Sequence, residues 1–150
     1  EGIAAAGAKG VVLFNRFYAV DVDLATHAIV PAVTFSSPME LHTVIRGVGL
    51  MAGKVPSSIA ASGGIHDSGG VLRALMAGAT VACVCSALYR NGPEYVTDIV
   101  SGVSSWLDAN GYKSADEVRG LAVCGKEASD ALLHRLQYIK AFGEAGNYEY

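Results

Sequence analysis

The chain has 150 residues, 51% of them hydrophobic, with a net charge of −3 and three cysteines. One domain with a real core fits that length, whereas a complete (β/α)8 barrel of about 250 residues does not. The weak negative charge offers no grip on nucleic acid or an anionic membrane surface, and no apolar run is long enough to span a bilayer.

Taken in chain order, residues 1–7 read as the tail of a helix closed by Gly7 to Gly10, so the chain is expected to be a portion of something longer. Val11–Phe14 is a short apolar strand, with Asn15-Arg16-Phe17-Tyr18 at its carboxyl end. A hairpin is expected within Asp21–Phe35, from Ala28–Pro31 followed by Ala32–Phe35. Ser37 is a good N-cap, with Pro38 at the first helical position and Glu40 at the third. The helix from Pro38 to about Ala52 carries Leu41, Val44, Ile45 and Val48 at helical spacing and ends at Gly53. A strand over Ser58–Ala61 leads to a helix opened by Asp67 or Ser68, with Val71, Leu72 and Leu75 inward and Gly78 as its stop. Val81–Val84 is the next strand. Pro93 starts a helix with Tyr95, Val96, Ile99, Val103 and Leu107 on one face, ended by Asn110-Gly111. Trp106 reads as core on that helix. Ser114 and Glu117 form a capping-box pattern, and a last helix is expected over Ser129–Phe142. The whole reads as one α/β domain over 1–150. Nearly all-apolar strands argue for a parallel sheet, and three strands leave both edges open.

The chemistry concentrates where two apolar runs end in small residues. Ser58–Ala61 runs into Ser62-Gly63-Gly64-Ile65, and Val81–Val84 runs into Cys85-Ser86-Ala87-Leu88. A βαβ unit sets two such turns side by side at the carboxyl ends of neighbouring strands. Bare backbone N–H groups there suit a phosphate, as after the last two strands of (β/α)8 barrels. Gly63 and Gly64 allow close approach to the main chain and also serve a tight strand–helix turn without a ligand. Ser86 adds a hydroxyl. Asn15 can hydrogen-bond an amide-like ligand or cap a turn. Arg16 can meet a carboxylate; Arg73 and Arg90 could assist a dianion and His66, after the Gly-Gly turn, could approach a phosphate, while all three read first as surface residues. None of His27, His42, His66 and His134 has metal-ligand spacing. Cys83, Cys85 and Cys124 are expected as buried thiols of a reducing, cytoplasmic compartment.

Val11-Val12-Leu13-Phe14-Asn15-Arg16-Phe17, Ile59–Ile65, Leu72–Ala79 and Val84–Leu88 resemble the C-terminal part of the class 1 dihydroorotate dehydrogenases, in particular a bacterial dihydroorotate dehydrogenase-like branch. Leu133–Lys140 looks similar to the same branch. The resemblance implies the last three strands of an FMN-binding TIM (β/α)8 barrel. Gly63-Gly64 would match the family's turn after the seventh strand, and Cys85-Ser86 its Gly-Thr pair after the eighth, both holding the FMN phosphate. Asn15 would match an Asn that binds the pyrimidine. Ser36 or Ser37 falls where the family has a phosphate loop. The implied activity is an oxidoreductase step of pyrimidine biosynthesis, in which a dihydropyrimidine loses a proton to a base and a hydride to the flavin. That base would lie upstream of Glu1, so no cysteine here takes the role, no metal is implied, and the isolated chain is expected to be inactive. Expected partners are a small-molecule substrate and a second copy or an upstream half-barrel. Phe14-Asn15-Arg16-Phe17 departs from the family's small-residue Asn-Thr pattern, leaving pyrimidine specificity open. Two alternatives remain, a phosphate-binding barrel without flavin and a non-enzymatic fragment that pairs with another half-barrel.

Overall fold

A computed structural model describes residues 2–17, 19–32 and 35–123. The predicted helix over Ser129–Phe142, Cys124 and His134 lie outside the described residues. A single turn of helix, α1 (Gly2–Ala5), leads to strand β1 (Gly10–Leu13). The antiparallel pair β2 (Val20–Asp23) and β3 (Ala28–Pro31) follows, then a 3-10 turn over Pro38–Glu40 that runs into α2 (Leu41–Met51). Next come β4 (Ser58–Ser62), α3 (Ser68–Met76), β5 (Val81–Cys83), α4 (Ser86–Asn91), α5 (Tyr95–Ala109) and α6 (Ala115–Val118).

β1, β4 and β5 form one parallel sheet in that order, with Leu13 opposite Ala61, and Ser62 opposite Cys83. Parallel neighbours require a crossover between them, and α2 and α3 supply helices for the two crossovers. Their apolar positions build the core: Leu41, Val44 and Val48 from α2 pack with Leu13, Ile59, Ala61 and Ile65. Burial of each large aliphatic side chain there contributes about 1.5–3 kcal/mol. A second cluster of Leu75, Leu107 and Val118 joins α3, α5 and α6. Trp106 packs against it, its ring stacked on Tyr112 at 5.9 Å. The other face of the sheet is open among the described residues. Val12, Ala60 and Val81 align across the three strands, and Val12 and Val81 are exposed.

Local chemistry explains the element ends. Asp67 caps α3 by accepting the Gly70 N–H at 2.7 Å. Ser37 and Glu40 form a capping box, in which the Ser37 N–H donates to Glu40 Oε1 at 2.8 Å, although the first turn is 3-10 and the α-helix begins only at Leu41. The hairpin differs from expectation. β3 pairs with the upstream Val20–Asp23, not with Ala32–Phe35. The reason lies in the Leu24–His27 turn, where the Asp23 carboxylate accepts the Ala25 and Thr26 N–H groups at 2.8 and 3.2 Å and His27 takes a left-handed φ of 56°. Those two N–H groups hold the Asp23 carboxyl below the usual carboxylate range. The Ser114–Glu117 box does not form, because the Glu117 carboxylate instead accepts the Lys113 N–H at 2.9 Å and Ser114 makes no side-chain cap. On α5 the predicted face is inward at Ile99 and Leu107, while Val96 is exposed.

Candidate functional site

The carboxyl ends of β1, β4 and β5 open into one cleft of about 710 Å3. Asn15, Gly63, Gly64, Cys85 and Ser86 all line it, so the five residues singled out by sequence meet although they come from three segments. A second cleft of about 770 Å3 shares Asn15, Arg16, Phe17, Ser62 and Gly63 with the first and extends over Phe14, Thr43 and Val44. Both volumes fall in the range of small-molecule and cofactor sites, about 300–1,000 Å3.

The Gly63-Gly64 turn has positive φ at both residues, +116° and +70°. Gly64 has a packing reason as well. A Cβ there would overlap the Leu41 backbone nitrogen and lie 2.9 Å from the Glu40 carbonyl carbon. The glycine therefore lets the start of α2 close onto the β4 turn. No acceptor among the described residues takes the backbone N–H of Gly63, Gly64, Cys85 or Ser86. All four residues line the cleft.

The second turn leads directly into the six-residue α4, which begins at Ser86. Ser86 is nearly buried, and its hydroxyl oxygen accepts two bonds from Ser36, the backbone N–H at 2.9 Å and the hydroxyl at 3.0 Å. Ser36 Oγ also bonds His66 Nε2 at 3.1 Å. His66 is thus tied to the cleft wall and is only partly exposed, in contrast to the expected surface residue. Sequence reasoning placed Ser36 or Ser37 near a phosphate loop; only Ser36 lines this cleft. The Ser36–Ser86 link spans 50 positions and carries no local signal.

One further correction concerns the cysteines. Cys83 and Cys85 are exposed rather than buried, because both line the open cleft at the strand ends, which no helix among the described residues covers. Arg16 donates from Nε to Glu40 Oε2 at 2.9 Å and from a terminal nitrogen to the Phe35 carbonyl at 3.2 Å. Arg16 thus meets a carboxylate, as expected, and the partner is Glu40 in the 3-10 turn that leads into α2. Partial burial pushes the Glu40 carboxyl up. The Ser37 N–H, the Arg16 hydrogen bond and charge, and the charge of His66 outweigh it and leave the carboxyl below its ordinary value. Phe35 and Tyr89 close one wall with rings 5.6 Å apart, and Arg90 lies 5.9 Å over the Phe35 ring. Arg73 is exposed, as expected of a surface residue. No cluster of three or more His, Cys, Asp or Glu residues able to hold a metal occurs among the described residues. None of their helices is long and apolar enough to cross a membrane.

No protein-family model matches the chain. Curated relatives do. The chain is 30% identical over 127 residues to the catalytic subunit of dihydroorotate dehydrogenase B (NAD(+)) of Pyrococcus abyssi, covering 81% of this chain and 42% of that protein. It is also 30% identical over 124 residues to the corresponding subunit of Petrotoga mobilis, covering 81% and 41%. The chain thus spans about two fifths of the length of the curated relatives it matches. Among solved structures, the dihydroorotate dehydrogenase of Eimeria tenella in complex with ferulenol superposes with a TM-score of 0.63 at 18% identity, over 79% of this chain and 32% of that one. The ligand-free form of the same enzyme gives 0.61. The parallel β1-β4-β5 sheet with its helices is a segment of that TIM-barrel fold. In sequence and in fold, the chain is similar to the C-terminal portion of the dihydroorotate dehydrogenases.

Proposed function

We propose that this chain is the FMN-phosphate portion of a dihydroorotate dehydrogenase-type oxidoreductase, acting on a dihydropyrimidine in pyrimidine biosynthesis. The observation that carries the reading is the convergence of Gly63, Gly64, Cys85, Ser86 and Asn15 on one cleft at the carboxyl ends of three parallel strands, the functional end of such barrels. The residues present fit the cofactor's phosphate. Four backbone N–H groups have no acceptor among the described residues, and Ser86 adds a hydroxyl. FMN, when bound, supplies the redox chemistry, as an acceptor of hydride. The chain's own part is to bind and orient. Gly63, Gly64, Cys85 and Ser86 hold the phosphate, and Asn15 offers an amide to the substrate or the flavin ring. The Arg16–Glu40 pair keeps the Asn15 loop in place. We assign no catalytic base to this chain, and we expect it to be inactive in isolation. Dihydroorotate oxidation by the 150-residue chain alone would overturn that expectation.

The open sheet face with Val12 and Val81 supports completion by further strands, from an upstream half-barrel or a second copy. The reading also carries a cytoplasmic location. The first test is the visible absorption spectrum of the protein purified with its native upstream region. Flavin bands with FMN released on denaturation support the proposal. A colourless protein that takes up no added FMN would move the assignment to a phosphate-binding barrel without flavin.

A further inference from the structure

We propose that Ser36 and His66 are positioning residues that aim the Ser86 hydroxyl proton into the cleft and so commit this end of it to a ligand oxygen that only accepts hydrogen bonds. The argument is a valence count. A serine hydroxyl has two acceptor lone pairs and one proton. Ser36 gives both its N–H and its O–H to Ser86 Oγ, at 2.9 and 3.0 Å, and fills both lone pairs. The Ser86 proton is the remaining valence, and Ser86 lines the cleft. In the proposed chain the Ser36 proton goes to Ser86, and the 3.1 Å contact between Ser36 Oγ and His66 Nε2 is then donated by the ring. The chain of donors therefore runs from His66 Nε2–H to Ser36, from Ser36 to Ser86, and from Ser86 into the cleft. Chains of this kind polarise one another in a buried setting. Ser36 is 6% exposed and Ser86 8%.

The consequence is chemical selectivity. Gly63, Gly64 and Cys85 line the same cleft, and their backbone N–H groups, like that of Ser86, have no acceptor among the described residues. A phosphate oxygen satisfies them, whereas a ligand hydroxyl or amine that must donate finds the Ser86 oxygen already saturated. His66 takes this part from the rear. It also borders a smaller cleft with His42, Asp67 and Arg73, and it faces the Glu40 charge.

The ligand named here rests on the FMN reading, but the donor chain does not, and the test separates the two. The 15N shifts of the His66 ring in the unmodified full chain at pH 8 are expected to report the Nε2–H tautomer. An Nδ1–H ring would overturn the proposal without any variant having to fold. FMN and riboflavin affinities are then compared in the unmodified protein and in Ser36→Ala. The expected result is about a tenfold loss for FMN, the scale of one hydrogen bond to a charged group, with riboflavin unchanged. Equal losses for both flavins, or no loss for FMN, would overturn the assignment. Should the protein with its native upstream region bind neither flavin, the FMN reading fails, and inorganic phosphate becomes the probe. Phosphate-dependent shifts of the His66 ring that vanish in Ser86→Ala keep the donor chain, and their absence in the unmodified protein removes it.

Discussion

Replacing Gly64 by alanine separates two costs that are usually confounded. The residue has φ +70°, which an L side chain rarely adopts, at about 1–2 kcal/mol. In addition, the new Cβ would overlap the Leu41 backbone nitrogen and sit 2.9 Å from the Glu40 carbonyl carbon. Backbone atoms at the start of a packed helix cannot rotate aside, and overpacking of this kind costs typically 1–3 kcal/mol. The sum is about 2–5 kcal/mol. Gly111 provides the control. Its φ is +77°, but nothing lies within 4 Å of a Cβ built there, so Gly111→Ala should show only the dihedral cost of about 1–2 kcal/mol. At about 2–4 °C per kcal/mol for a chain of this size, Gly64→Ala should lower Tm by roughly 5–15 °C and Gly111→Ala by a few degrees. Thermal unfolding followed by circular dichroism, with urea midpoints as a cross-check, measures both. If Gly64→Ala is no more destabilising than Gly111→Ala, the claim that α2 closes onto the Gly-Gly turn is wrong.

Three further outcomes can be checked. Asp67→Ala removes the acceptor of the Gly70 N–H at the start of α3 and should cost about 1 kcal/mol, read as a lower urea midpoint with an unchanged m-value. The Glu40 carboxyl is held below its ordinary value in the folded chain, so its contribution is present above the unfolded carboxylate pKa and is lost as pH falls through the lower folded value. Glu40→Gln should therefore flatten the pH dependence of stability between about pH 5 and pH 3. At neutral pH its cost should stay within about 1 kcal/mol, because the pair with Arg16 is partly solvated. Denaturant midpoints across that range decide it, and an unchanged slope would contradict the assignment. On the proposed function, Asn15→Ala in the complete protein should raise KM for dihydroorotate about tenfold while leaving FMN content unchanged, by steady-state kinetics and flavin release. A loss of FMN with unchanged KM would place Asn15 on the cofactor instead.

Much of the site was legible along the chain because its pieces are local. Ile59-Ala60-Ala61-Ser62 ahead of Gly63-Gly64, and Val81-Ala82-Cys83 ahead of Cys85-Ser86, each carry a strand and its turn within a few residues. Parallel pairing then brings the two turns together. Asp67 announces α3 by its cap, and the spacing of Leu41, Val44 and Val48 announces the buried face of α2. These features follow from backbone geometry and side-chain periodicity, which neighbours in sequence already determine.

Contacts between distant segments decided the rest. The bond from Ser36 to Ser86, the ring of His66 behind it and the engagement of Arg16 by Glu40 join residues 24 to 50 positions apart. No local pattern marks which polar side chain will find which partner. The exposure of Cys83 and Cys85 was misread for a related reason: an apolar strand end implies cover, yet only one face of this sheet is covered by α2 and α3 among the described residues. Gly64 makes the division plain. Its sequence context announces a turn of bare backbone, but only the packed chain reveals that α2 already stands where a side chain would go.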